Sequence, residues 1–300
     1  MKSKYALWGL FLASSCCILS CQSQSSSSSH ASDESTLAVL PAEVAMAEKD
    51  QVPKAVVPSF PLDTSFHFPW LSAYQAEDLL VNQIPVPEGF TRIAQPAGSF
   101  GTWLRHLPLK ASGTAVQLYN GQLKGNQQAH ARVVDIDVGK RDLQQCADAV
   151  MRLKAEYHFG RGEFSEIHFN FTSGDRVSFD DWRRGRKPSI VGNKVSFSES
   201  GSTIDNSYSN FKRYLRQIFS YAGTASLSKE LRAIDRKEMQ IGDVFIQGGF
   251  PGHALIVLDM AENATGQKIF LIAQSYMPAQ DIHILQNHAA SQLNPWYPLD

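Results

Sequence analysis

The chain has 300 residues, a formal net charge of −1, 43% hydrophobic residues and 19% charged residues. That is a globular balance, long enough for one sizeable core. A near-zero charge leaves no basic footprint, so nucleic acid is not an expected partner.

The opening "MKSKYALWGLFLASSCCILSC" places Lys2 and Lys4 before an apolar run that ends at Cys21. The run is too short for a membrane-spanning helix of the mature protein, so residues 1–20 are read as a secretory signal. "ILSC" resembles the bacterial lipobox, which implies cleavage before Cys21 and lipid on its thiol. "ASSC", ending at Cys16, competes as a weaker match. Gln22 rather than aspartate follows Cys21, resembling enterobacterial sorting to the periplasmic face of the outer membrane. Residues 21–61, beginning "QSQSSSSSHASDES" after Cys21, are Ser-, Pro- and Ala-rich and read as a disordered tether.

Residues 62–124 form the N-terminal part of the expected globular domain. "FPWLSAYQAEDLLVNQI" predicts a short helix, "GSFGTWLRHLPLK" (98–110) an irregular packed connection, and "AVQLYNGQLK" a hairpin around Asn120-Gly121. The core expected over 125–300 opens with the alternating strand "ARVVDIDVG", with Val134, Ile136 and Val138 on one face and Val133, Asp135 and Asp137 on the other. Asp135 and Asp137 share a face, but a glycosidase pair needs carboxylates facing each other across a sugar, and a solvated face is the simpler reading.

In "RDLQQCADAVMRLKAEY", Asp142 is read as an N-cap with Gln145 three residues on, which places Cys146 in a first helical turn where the dipole favours a thiolate. With Cys16 and Cys17 removed and Cys21 lipidated, Cys146 has no disulfide partner in an oxidising compartment, the setting of a reactive thiol. Val150, Leu153 and Tyr157 follow at helical spacing, so a buried core cysteine is the competing reading.

Residues 160–240 read as an insertion. "EIHFNFTSGDRVSF" predicts a strand with Ile167, Phe169 and Phe171 inward. "DDWRRGRKPSIVGNKVSF" predicts a basic loop and a short strand, with Trp182, Arg183 and Arg184 as a possible grip on an anionic or sugar-bearing ligand or as solvated side chains. "YSNFKRYLRQIFSYAG" predicts a helix ending at Gly223. Strands follow at "DVFIQG", "HALIVLDM", "KIFLIAQS" and "IHIL". The turn "NATG" (263–266) suggests antiparallel pairing in which residue numbers sum to roughly 529. His253 then faces about Tyr276 with Gln274 one step away on the same face; a slip by one residue would bring Ser275 forward instead. A nucleophilic cysteine needs a base with an orienting partner. His253 is the candidate base, and His168 is its rival. Metal-ligand spacings, a serine-hydrolase elbow and a phosphate loop are not found, so no metal or cofactor is expected.

A cysteine early in a helix, then "GD-VFI…GH-ALIV", then a polar residue ending the next strand resembles the papain-like cell-wall amidases of the NlpC and CHAP types. That resemblance implies an α+β fold with a nucleophile helix packed on an antiparallel sheet. It puts Cys146 in the nucleophile's place, His253 in the base's and Gln274 in the orienting position. The chain departs from the pattern in its long cysteine-to-histidine gap and in "ADAV" after the cysteine. On this reading Gln144 and Gln145 are the candidate oxyanion donors beside the Cys146 backbone N–H. The strings "GSFGTWLRHLPLK", "DIDVGKRDLQQCADAVMRL", "HFNFTSGD" and "GDVFIQGGFPGHALIV" also resemble a family of secreted bacterial lipoproteins, DUF4846, over roughly residues 85–300. That family implies no established activity. The expectation is a lipid-anchored envelope protein acting as a cysteine amidase or peptidase on envelope peptides or peptidoglycan fragments. An acyltransferase using the same groups, and a non-catalytic envelope binder, are the alternatives.

Overall fold

The computed structural model describes residues 60–299 apart from 64 and 202. The expected signal, the expected lipidation site Cys21 and nearly all of the expected tether lie outside the described residues. Eleven strands are described: β1 (Phe90–Arg92), β2 (His130–Val133), β3 (His168–Asn170), β4 (Arg176–Ser178), β5 (Arg186–Val191), β6 (Lys194–Glu199), β7 (Val244–Gln247), β8 (His253–Asn263), β9 (Lys268–Gln274), β10 (His283–Leu285) and β11 (Tyr297–Pro298). The α-helices are α1 (Leu80–Gln83), α2 (Phe100–Arg105), α3 (Cys146–Gly160), α4 (Phe179–Arg183), α5 (Tyr208–Tyr221) and α6 (Thr224–Glu230). The fold mixes α and β, and its sheets are antiparallel.

Seven strands make the main sheet, in the order β1-β8-β9-β10-β2, with β7 also on β8 and β11 also on β9. The apolar run of β8 explains its central place, since every residue from Ala254 to Ala261 is buried and both faces must be covered. Helices α2 and α3 pack against this strand. Asp259 is the charged exception within it. Arg92 Nε and Arg105 Nε each donate to its carboxylate at 2.7 Å, tying β1 and α2 to β8. A buried carboxylate without such partners would carry its full desolvation cost.

The β8–β9 register near the front of the sheet pairs Ile256 with Ala273 and Val257 with Ile272, both summing to 529. An irregularity between Val257 and Asp259 moves the remaining pairs to 530, as at Met260 and Phe270. It lies behind His253 and leaves the front register in place.

Several local expectations change. Residues 98–110 contain α2, because Ser99 Oγ accepts the Thr102 N–H and caps a helix whose Trp103 and Leu104 are buried. The strand expected over 131–139 stops at Val133, which is buried along with Val134 and Ile136 rather than facing out with the aspartates. The basic stretch at 179–187 is α4 leading into the β5–β6 hairpin. Asp142 is not the N-cap of α3. Arg141 and Leu143 form a tight turn there, and the helix begins at Cys146 behind Gln145. Asp148 Oδ2 accepts the Gln145 N–H at 3.0 Å, closing the first turn from the inside. Among the described residues, no helix is long and apolar enough to cross a membrane.

Candidate active site around Cys146

Cys146 is the first residue of α3 and is half-buried. The N–H groups of an opening helical turn have no acceptor inside the helix. Here the backbone N–H groups of Cys146 and Ala147, with that of Ala254 on β8, act to lower the thiol's pKa. These donors favour a thiolate, yet burial outweighs them and Asp148 adds to it, so the thiol is pushed above the ordinary cysteine value. The low-pKa thiolate expected from helix position alone is therefore not the resting state.

His253 opens β8, one residue before Ala254. The approach is set by glycine: a β-carbon on Gly252 would collide with the Gly249 carbonyl oxygen and the Thr224 hydroxyl. His253 Nε2 lies 2.7 Å from Gln274 Oε1 at the end of β9. Its Nδ1 is buried and has no hydrogen-bond partner among the described residues. Burial lowers the ring's pKa, and the Gln274 contact opposes that only in part, so the ring rests neutral near pH 7. Tyr276 packs edge-on to His253 at 5.3 Å between ring centroids. Two loops meet this end of the sheet, exposing Phe250 almost fully and Tyr276 and Met277 by about half.

The remaining sequence candidates separate. Gln144 is only 1% exposed; its Oε1 accepts from Arg152 Nη1 at 2.8 Å, and its Nε2 is sealed from solvent without a partner among the described residues. It does not offer an accessible donor to a substrate oxygen. Gln145 is half-buried and spends one amide N–H on Asp142 Oδ1 at 3.1 Å, which leaves it a second. His168 sits on β3, in a separate two-stranded sheet with β4, and does not join His253 and Gln274. Trp182 is buried and donates to Asn210 Oδ1 at 3.0 Å, while Arg183 and Arg184 both pair with Asp180. Trp182 is thus spent inside the core, whereas Arg184 remains half exposed beside its Asp180 partner. Ser275, the alternative of a slipped register, is buried and donates to the Gln144 carbonyl at 2.9 Å.

Sequence reading missed two contributors. Arg152 lies on the apolar stretch of α3 and is buried, where it holds Glu156 at 2.6 Å and the Asp137 carboxylate at 3.1 Å as well as Gln144. The Ala254 N–H is a backbone group, which no side-chain pattern marks. A cavity of about 370 Å³ lies elsewhere, lined by Ser165, Arg176, Ser178, Asp180, Asp181 and Arg186, none of them in the constellation around Cys146. Among the described residues, no group of three or more His, Cys, Asp or Glu side chains could hold a metal ion.

The family model described as a domain of unknown function (4846) matches residues 80–300, about three quarters of the chain and all the groups above. The chain belongs to the DUF4846 family. No curated protein and no solved structure matches it. The DUF4846 region thus contains the whole main sheet and the helix that carries Cys146.

Proposed function

We propose that this DUF4846 protein is a cysteine amidase or peptidase of the cell envelope, with Cys146 as nucleophile, His253 as base and Gln274 as the group that orients the base. One observation carries the reading. His253 gives its Nε2 side to Gln274 at 2.7 Å and keeps an Nδ1 without a partner among the described residues, while the next residue's N–H acts on the Cys146 thiol to favour its charged form. A helix opening on the thiol and packed against an antiparallel sheet supports the comparison with papain-like amidases.

The resting pair is a neutral thiol and a neutral imidazole. On this reading the S–H proton passes to His253 Nδ1 as sulfur bonds to the amide carbonyl carbon. The carbonyl oxygen gains negative charge, opposed by the Cys146 backbone N–H with the remaining N–H of Gln145 nearest to hand. The C–N bond breaks as His253 returns its proton to the leaving amine. Water then attacks the thioester, giving a proton to His253, and the regenerated thiol leaves a carboxylate product. An amine in place of water would make the same groups an acyltransferase.

The lipobox-like "ILSC" and the long polar stretch after it support an envelope location with Cys21 as the lipid anchor. Peptidoglycan peptides are the matching substrate class. A non-catalytic envelope binder is the second reading, favoured by the raised thiol. Incubating purified sacculi and envelope peptides with wild type and Cys146→Ser, then comparing products by mass spectrometry, separates the two. New amine and carboxylate ends that need Cys146 support the amidase; identical profiles support the binder.

A further inference from the structure

The polar contacts of Gln274 continue beyond His253. Strand β10 places His283 directly opposite Gln274, so the two side chains rise on the same face of the sheet. His283 is fully buried. Its Nδ1 lies 2.8 Å from the Asp281 carbonyl oxygen. A carbonyl only accepts, so the ring proton sits on Nδ1 and Nε2 is left as a bare acceptor. Gln274 Nε2 stands 3.5 Å from that acceptor, the longest link of the row.

These partners settle which way the carboxamide points. With its NH₂ toward His283, its oxygen faces His253 Nε2, which must then carry the proton. The flipped amide would set oxygen against the bare His283 nitrogen and forfeit that bond. His253 is thereby held with its lone pair on Nδ1, the atom without a partner.

We propose that His283 is a positioning residue: it fixes the Gln274 carboxamide and, through it, the tautomer of His253 that can accept a proton at Nδ1. This rests on the reading of His253 as a base for Cys146, since only then does the tautomer bear on chemistry.

The arrangement requires a neutral His283. Burial lowers its pKa to about 4, and its charged or titratable neighbours Lys124, His130 and His253 all act in the same direction. His130, on the adjoining β2, meets the His283 ring edge-on at 6.1 Å and directs its own Nε2 to the Thr114 carbonyl at 3.1 Å. It therefore does not compete for the Gln274 amide. A histidine that merely filled the core would need no particular nitrogen turned toward Gln274.

The test is nitrogen NMR of ¹⁵N-histidine-labelled protein at pH 7, comparing wild type, His283→Leu and His283→Gln. The expected result is a single Nε2–H tautomer of His253 in wild type. His283→Leu should show a mixture that includes the Nδ1–H form, and His283→Gln should recover the wild-type tautomer, because its amide oxygen can accept where Nε2 did. An Nδ1–H ring in wild type, or an unchanged tautomer in a folded His283→Leu, overturns the proposal. If the leucine variant does not fold, Gln274→Glu takes its place. A carboxylate cannot donate to His283 Nε2, so His283 should take up a second proton at pH 6.5, and a ring still neutral there overturns the proposal. These readouts do not depend on catalysis. Normal tautomers without amide cleavage would count against the hydrolase reading and leave the His283 relay standing.

Discussion

The backbone N–H of Ala254, next to His253 on β8, favours the charged form of the Cys146 thiol at the start of α3, so strand and helix bring their candidate groups into one neighbourhood. No hydrogen bond joins Cys146 to the His253 ring among the described groups, and both side chains rest uncharged near neutral pH. On the proposed reading the two are a base and an acid before proton transfer, rather than a stored ion pair.

That distinction is measurable in the thiol's titration. Alkylation of Cys146 by iodoacetamide on folded protein should rise with pH and reach half its maximum above the ordinary cysteine value of about 8.5. Replacing His253 with alanine should move that midpoint little, because no imidazolium is present to lose. A wild-type plateau already reached near pH 6 would show a preformed thiolate and contradict the resting state described above.

A second acid near the sulfur governs stability. Burial raises the Asp148 carboxyl to about 8, against the hydrogen bonds that favour its charged form. The folded value lies above the unfolded one, so the neutral form belongs to the fold. Its contribution is complete below about pH 4 and declines as pH rises toward 8. Asn at this position keeps an oxygen for the Gln145 N–H and removes the ionisation. Thermal unfolding should therefore give Asp148→Asn and wild type similar Tm values near pH 4, with the variant ahead at pH 8. Matching Tm values at pH 8 would mean that the carboxyl ionises in the fold without cost.

The placement of His253 depends on the absence of a side chain before it. A methyl group at Gly252 meets a backbone oxygen, which cannot swing aside as a flexible side chain would. Gly252→Ala should cost about 1–3 kcal/mol in urea unfolding, the usual range for overpacking. It should also shift the His253 ring resonances by displacing the start of β8. Wild-type stability together with unchanged resonances would show that the loop has room to spare.

Much of this was legible beforehand because the turn at residues 263–266 fixes the register of two long apolar strands. Pairs summing to 529 at the front of β8 bring Gln274 beside His253, as side-chain alternation requires. The helix starting at Cys146 was visible from its apolar spacing, but its cap was not. Asp142, Gln145 and Asp148 all carry capping side chains, and the turn at Arg141–Leu143 decides among them. The role of His283 was hidden for another reason. "IHIL" reads as an apolar strand, and nothing local says that β10 lies against β9 with His283 opposite Gln274. Trp182 misled in the opposite sense: beside four basic residues it looks like a ligand platform, whereas Asn210, 28 positions away, takes its N–H inside the core.

Lipid attachment is tested apart from catalysis. Cells given an alkyne-tagged fatty acid should label the wild-type protein, and Cys21→Ala should abolish the label and release the protein from the membrane fraction. Label retained in that variant would move the anchor elsewhere, with Cys16 the next candidate.

The most direct measurement of the central claim is amine release from envelope peptides by wild type and His253→Ala at pH 7, with Cys146→Ser setting the baseline. A base that takes the thiol proton contributes roughly 10²- to 10⁴-fold, so the alanine variant should fall by that factor while remaining folded. Equal release by wild type and His253→Ala, or none above the serine baseline from either, would contradict the account.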